Sequence, residues 1–214
     1  LFTVSGVITA FRKSAVHQVD YWSPNMLTED IDITWKLQRA GWDIRFEPNA
    51  LVWILMPETL NGLWKQRLRW AMGGAQVLIK NIDVFTKPKL NFLWPLMFEL
   101  CLTLVWSYLM LAMALLWLVH FILPVPALAV VSSPFLPYGS GILLGATCLI
   151  QFALSKWMDS RYEPNLGKNY YWMIWYPFVF WLITITATIV AFPKVLLRGQ
   201  EKRARWISPD RGIR

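Results

Sequence analysis

Up to Lys87-Pro88-Lys89 the chain mixes polar and apolar positions at short range, and beyond it apolar residues run almost unbroken. In the first part, residues 1–10 alternate loosely and predict a strand that leads through a loop at Ser5-Gly6. Residues 11–19 predict a short helix. Residues 29–40 predict another, with Thr28 in the N-cap position and Glu29, Asp30 and Asp32 on the first turn, where the helix dipole favours negative charge. Ile33, Leu37 and Ala40 form its apolar face, and Gly41 is the natural stop. Residues 44–46 and 50–53 read as strands interrupted at Pro48. From Leu60 to Phe85 the apolar positions 60, 63, 64, 68, 71, 75, 78, 79 and 82 recur at helical spacing, with Lys65, Arg67, Arg69 and Lys80 between them. This basic amphipathic pattern suits the plane of a membrane interface, and Gly73-Gly74 offers a place to break or bend. The alternative is a helix packed on the protein itself.

The later part predicts membrane spans. Residues 92–119 exceed the roughly 20 apolar residues that a bilayer requires. Their one ionised group is Glu99, which faces either a polar path or, one turn from the interface, the headgroups. Residues 138–154 and 171–192 predict a second and a third span, joined by a charged loop over 156–168. A Pro-rich uncharged connection precedes the second, and the tail from Arg198 onward is basic. Loop charges place the 156–168 loop in the cytoplasm, yet an odd number of spans then sets the basic tail against the positive-inside bias.

Composition agrees. Of 214 residues, 56% are hydrophobic and 14 are Trp, which excludes an ordinary soluble domain and favours rings at headgroup level. The net charge of +8 reads first as contact with anionic lipid and second as an anionic small substrate. Neither a basic recognition helix nor a zinc spacing is present, so nucleic acid is not an expected partner. Cys101 and Cys148 lie in apolar runs and read as small buried hydrophobes. Leu1 to Ile8 reads as the middle of a fold, which suggests a fragment of a longer protein.

Candidate chemistry lies in two short stretches. Thr28-Glu29-Asp30 alone is a common cap pattern. Gln66, Arg69 and Trp70 share one face of a helix through their i, i+3, i+4 spacing. Their order, followed by the apolar region, makes the combination specific.

With these motifs the chain resembles the processive family 2 glycosyltransferases, which include the cellulose, chitin, hyaluronan and poly-N-acetylglucosamine synthases. Residues 28–42 (TEDIDITWKLQRAGW) and 66–70 (QRLRW) look like the TED and QxxRW motifs of that family. Residues 4–15 (VSGVITAFRKSA) and 206–212 (WISPDRG) look nearest to the poly-N-acetylglucosamine branch. No Phe-x-Val-Thr-x-Lys gating motif follows the first span, which counts against cellulose.

The resemblance implies an α/β fold: the C-terminal part of a GT-A type glycosyltransferase domain over 1–59, followed by interface helices over 60–87. An α-helical transmembrane domain over 88–197 and a basic tail over 198–214 complete it. The resemblance further implies a multi-pass bacterial inner-membrane enzyme with its catalytic part cytoplasmic. Such an enzyme adds N-acetylglucosamine from UDP-GlcNAc to a growing β-linked exopolysaccharide of biofilms and helps to export it. Asp30 then matches the general base, and Glu29 orients it or the acceptor. Arg69 neutralises the departing diphosphate and Gln66 hydrogen-bonds it. Trp70 stacks on the acceptor sugar, Thr28 completes the TED motif, and Ser5 and Gly6 line the acceptor loop. His17 and His120 match no motif. The donor-binding strands and the Asp-x-Asp that would hold Mg2+ or Mn2+ belong upstream of these residues. A small membrane partner subunit and control by cyclic di-GMP are also implied. The alternatives from other classes are a non-catalytic membrane channel or scaffold component, and a non-processive family 2 enzyme making a glycolipid.

Overall fold

The computed structural model describes residues 3–123, 139–163, 165, 168, 176–198 and 203–205. Six α-helices occupy them: α1 (Lys13–Gln18), α2 (Glu29–Arg39), α3 (Leu60–Lys80), α4 (Trp94–Ile122), α5 (Gly139–Asp159) and α6 (Tyr176–Arg198). Two 3-10 turns, Ile82–Thr86 and Pro88–Leu93, join α3 to α4. The chain divides into two compact units, one of residues 1–105 with 187–214 and one of residues 106–186.

The first unit is organised around α2. One side of it carries Trp35 into a core with Met26, Val77, Leu78, Val84, Leu93 and Met97, which joins α2 to α3, both 3-10 turns and the start of α4. The other side carries Ile33 and Leu37 against Ala15 of α1, with Phe11, Val19, Trp42 and Ile44 around them. Trp35 is only 1% exposed and Ile33 0%, so the helix buries residues on two sides, more than the single apolar face its periodicity predicts. Gly41 follows at φ 86°, the left-handed conformation that ends helices and that glycine adopts without a Cβ penalty.

Charge fastens the far end of α2. The Arg39 guanidinium grips Asp83 with both arms, at 2.9 and 2.7 Å, and reaches Asn81 Oδ1 at 2.8 Å. Lys87 Nζ adds a contact to Asp83 at 2.6 Å. These donors, Arg39 first, hold the Asp83 carboxyl well below the ordinary carboxylate range. A depressed folded-state pKa contributes stability that is complete above the unfolded value, near 4, and fades as pH falls below it. The thermal stability deficit of Asp83→Asn should therefore be present at neutral pH and shrink below about pH 4. The carboxylate side chain is 37% exposed, and solvent screening limits the deficit to about 1 kcal/mol. Unfolding midpoints of both proteins across that range measure it.

Several sequence expectations give way here. Among the described residues there is no β-strand. Residues 42–47 and 50–58 are without regular structure, and Phe46 and Trp53 are each 72% exposed. A strand exists only through pairing, and among the described residues none pairs with these, so the strand-like composition of 44–46 and 50–53 forms no ladder. Residues 3–10 likewise form turns and loop, and Leu1 and Phe2 lie outside the described residues. Gly73-Gly74 does not break α3, which is continuous over its 21 residues. Much of its inward face is covered by protein, with Gly73, Val77 and Leu78 buried.

Among the described residues two helices are long and apolar enough to cross a membrane: α4 with its preceding 3-10 turn, over Pro88–Ile122, and α6. They fit a membrane protein. Glu99 falls in the second turn of α4, near its start, and is exposed. The Pro-rich connection, most of the loop before α6 and most of the basic tail lie outside the described residues.

Candidate active site

Asp30 sits on the first turn of α2, half-buried. Its Oδ2 accepts the Gly6 N–H at 2.9 Å and its Oδ1 accepts the Ile31 N–H at 2.9 Å. The Ser5-Gly6 loop thus folds directly onto this carboxylate. A Cβ at Gly6 would lie 3.2 Å from Asp30 Oδ2, so glycine permits the approach. The loop is itself braced, because Thr9 Oγ1 donates to the Ser5 carbonyl at 2.7 Å and Val4 N–H donates to Thr34 Oγ1 at 3.1 Å. Two fixed N–H donors orient the carboxylate, and each oxygen keeps lone-pair capacity for a further donor.

Thr28 does not cap α2. Its hydroxyl makes no cap hydrogen bond, and its Oγ1 is buried without a partner. The side chain instead lies against Gly73 of α3, close enough that any Cβ there would overlap it. The expected N-cap role fails because the α3 packing claims the side chain.

The helix α3 meets the segment before α2 along a single stripe. Arg69 NH1 donates to the Leu27 carbonyl at 3.0 Å. Gly73 abuts Thr28. Gln76 accepts the Leu27 N–H at 3.0 Å through Oε1 and donates to the Asn25 carbonyl at 3.2 Å through Nε2. Lys80 Nζ binds Asp32 Oδ1 and, at 3.0 Å, Ser23 Oγ, while that hydroxyl donates to Asp32 Oδ2 at 2.6 Å. Asp32 is 1% exposed, so the ammonium and hydroxyl compensate a carboxylate that burial would otherwise penalise heavily. Positions 69, 73, 76 and 80 recur at i, i+4, i+7 and i+11, one face of a helix. They hold the two motif stretches at a fixed distance. The sequence reading missed Gly73, Gln76 and Lys80 in this role, although their spacing after Arg69 was visible.

The remaining motif residues take different settings. Gln66 Oε1 is buried with no hydrogen-bond partner. Trp70 is 42% exposed, with the Arg67 guanidinium 4.4 Å from its ring centre in a cation–π contact. Glu29 is exposed and shares a cavity of about 240 Å³ with Arg69, Trp22, Ser23, Leu27 and Arg205. The cavity thus joins one residue of the TED stretch to one of the QxxRW stretch. Ala204 of the tail lines it too, and its N–H donates to the Pro24 carbonyl at 2.8 Å.

Before the cavity the backbone makes an uncommon turn. Asp20 and Tyr21 are consecutive non-glycine residues in the left-handed region, at φ 56° and 53°. Such conformations cost on the order of 1–3 kcal/mol each and persist only where surroundings enforce them. Lys36 enforces this one, its Nζ donating to the Tyr21 carbonyl at 2.6 Å and the Asp20 carbonyl at 3.5 Å. Burial lowers the Lys36 pKa from its ordinary value, against the opposing charge of Asp32. Among the described residues no three His, Cys, Asp or Glu side chains gather as a metal site.

Comparison with known proteins gives this arrangement a context. The chain is 41% identical over 211 residues to a poly-β-1,6-N-acetyl-D-glucosamine synthase of Staphylococcus epidermidis, covering 98% of this chain and 51% of that protein. It is 42% identical over 210 residues to a protein of the same name from Staphylococcus aureus, with the same coverage. The chain thus spans about half the length of the curated relatives it matches. No solved structure matches it. The profile of the glycosyl transferase family group 2 matches residues 1–190, and the chain belongs to that family.

Proposed function

We propose that this chain is the acceptor-side and membrane-side portion of a processive, inverting glycosyltransferase that extends a β-linked N-acetylglucosamine polymer from UDP-GlcNAc. The observation that carries the reading is the fixed registry between Asp30 and Arg69, set by α3 against the segment before α2. Asp30, oriented by Gly6 and Ile31, accepts the proton of the acceptor hydroxyl as that oxygen bonds to the sugar C1. The C1–O bond to the diphosphate breaks on the opposite face, and its electron pair leaves with UDP. Arg69 keeps donors beyond the one it gives Leu27, and a guanidinium suits the developing phosphate charge. Gln66 Oε1 is a buried acceptor without a partner, and its Nε2 is the donor proposed for the diphosphate. Trp70 offers an exposed ring for the acceptor sugar, and Ser5 and Gly6 border the base. Thr28 and Glu29 serve by placement, the first against α3 and the second at the cavity.

Among the described residues no side-chain cluster fits a divalent cation. The Mg2+ or Mn2+ of the proposal belongs to residues outside this chain. The proposal places the protein in the bacterial inner membrane as a multi-pass protein with these residues cytoplasmic, where it assists export. A small membrane partner and cyclic di-GMP control belong to the same proposal and rest on the resemblance alone.

Product length tests the polymer claim. Membranes containing the complete protein, supplied with labelled UDP-GlcNAc, should yield long chains that β-N-acetylhexosaminidase degrades. Single additions to a lipid would overturn it in favour of glycolipid synthesis. No transfer at all would favour a channel or scaffold.

A further inference from the structure

We propose that Thr34 of α2 is a positioning residue for the reaction. Its hydroxyl ties the Ser5-Gly6 loop to the helix and so fixes the attitude of the Asp30 carboxylate. The proposal rests on the transferase reading above and deepens it.

Thr34 lies one turn beyond Asp30 and is 0% exposed, beside the buried Ile33 and Trp35. A hydroxyl in such a place costs burial that only its hydrogen bonds offset, and valine would fill the same volume without that cost. Both capacities of this hydroxyl are used. Its hydrogen goes to the Asp30 carbonyl at 2.6 Å, the bond that a threonine inside a helix ordinarily makes with the preceding turn. Its lone pairs remain as acceptors, and one takes the Val4 N–H at 3.1 Å, from a segment 30 residues away in sequence. The second bond is the informative one, since helix geometry does not require it.

Two residues after Val4, the Gly6 N–H reaches Asp30 Oδ2 at 2.9 Å. The loop therefore meets α2 at Thr34 and again at Asp30. The contact at Asp30 is exposed and comes from a residue without regular structure, so its steadiness depends on an anchor close by in the chain. Thr9 braces the loop only against itself, through the Ser5 carbonyl, whereas Thr34 fastens it to the helix that carries the base. Ile31 N–H holds Asp30 Oδ1 from within α2, so the second oxygen is directed from the loop. The plane of the carboxylate decides whether a lone pair meets the acceptor hydroxyl. A loop released from Thr34 lets that plane turn while the Arg69 contact to Leu27 stays in place.

The test uses the complete membrane-bound protein with UDP-GlcNAc, and reads labelled polymer and released UDP. Thr34→Val, equal in shape but lacking both bonds, should lower kcat about ten- to a hundredfold, the scale of a small misplacement of a reacting group, with the UDP-GlcNAc KM within about twofold of wild type. Thr34→Ser keeps the hydroxyl and should recover most of the rate. Val4→Pro removes the same N–H from the loop side without altering α2, so it should show the kcat deficit even where Thr34→Val folds poorly. In an Asp30→Asn background, Thr34→Val should cost no more than about a further twofold, because its effect passes through that carboxylate. Wild-type kcat in both Thr34→Val and Val4→Pro would overturn the proposal. So would Thr34→Ser as slow as Thr34→Val, or the full deficit repeated in the Asp30→Asn background, which is the mark of a general structural role. A wild-type protein that polymerises nothing, or Asp30→Asn at the wild-type rate, overturns the transferase reading itself, and either result is visible before any Thr34 variant is compared.

Discussion

Asp30→Asn is expected to lower polymer formation from UDP-GlcNAc by about 10²–10⁴-fold, the range associated with losing a positioned general base. The substitution keeps the side-chain shape but removes the basic oxygen. It also meets a local conflict. Both carboxylate oxygens now accept backbone N–H groups, from Gly6 and Ile31. An amide has one oxygen, so its NH2 must face one of those N–H groups, and the Ser5-Gly6 loop is the freer of the two to move. The fall should therefore appear mainly in kcat, with the UDP-GlcNAc KM changed far less, because no contact proposed for the donor is touched. Labelled polymer and released UDP, measured together, separate transfer from hydrolysis. Wild-type rates of synthesis in Asp30→Asn would remove Asp30 from the mechanism. Glu29→Gln should cost less, since Glu29 faces the cavity and leaves the oriented carboxylate in place.

The helices were legible because their signals are local. The periodic apolar positions of 29–40 and the glycine after them predict α2 almost to its ends, and the apolar runs coincide with long helices. The strands expected at 44–46 and 50–53 are not present among the described residues, because strand-like composition states a capacity for pairing without supplying the partner. Thr28 misled for a related reason. Threonine before an acidic turn is a cap in isolation, but here a glycine 45 positions later (73 against 28) brings another helix onto its side chain. That contact is invisible to any reading confined to one segment. The candidate site divides in the same way. Asp30, Arg69 and the Ser5-Gly6 loop were visible as motif residues, and the structure joins the loop to Asp30 directly. Thr34, Gln76 and Lys80 were not, since their importance comes from tertiary contacts.

Gly73→Ala should disturb catalysis more than any conservative change elsewhere on α3. Taken alone, alanine in a helix interior is worth about 1 kcal/mol over glycine. At this position the added Cβ would lie 2.3 Å from both Cγ2 and Oγ1 of Thr28 and 2.7 Å from its Cβ, well inside contact distance. Thr28 is 4% exposed, so its side chain is enclosed by protein. The backbone beside it is pinned at Leu27, whose carbonyl binds Arg69 and whose N–H binds Gln76. Relief must come from parting α3 and α2, at an overpacking cost of about 1–3 kcal/mol that offsets the propensity gain. The same parting moves Asp30, two residues beyond Thr28, relative to Arg69. A displacement near 1 Å at reacting groups lowers rates by about 10²-fold, so a protein that still folds should show a large kcat deficit and a modest stability change. The added substitution Thr28→Ala removes the two nearest atoms but leaves the Cβ, so the double variant should recover part of the activity. That partial recovery is the signature of registry. A simple loss of helix stability would predict additive effects, and full activity in Gly73→Ala would mean that the spacing of the two motif segments does not limit the reaction.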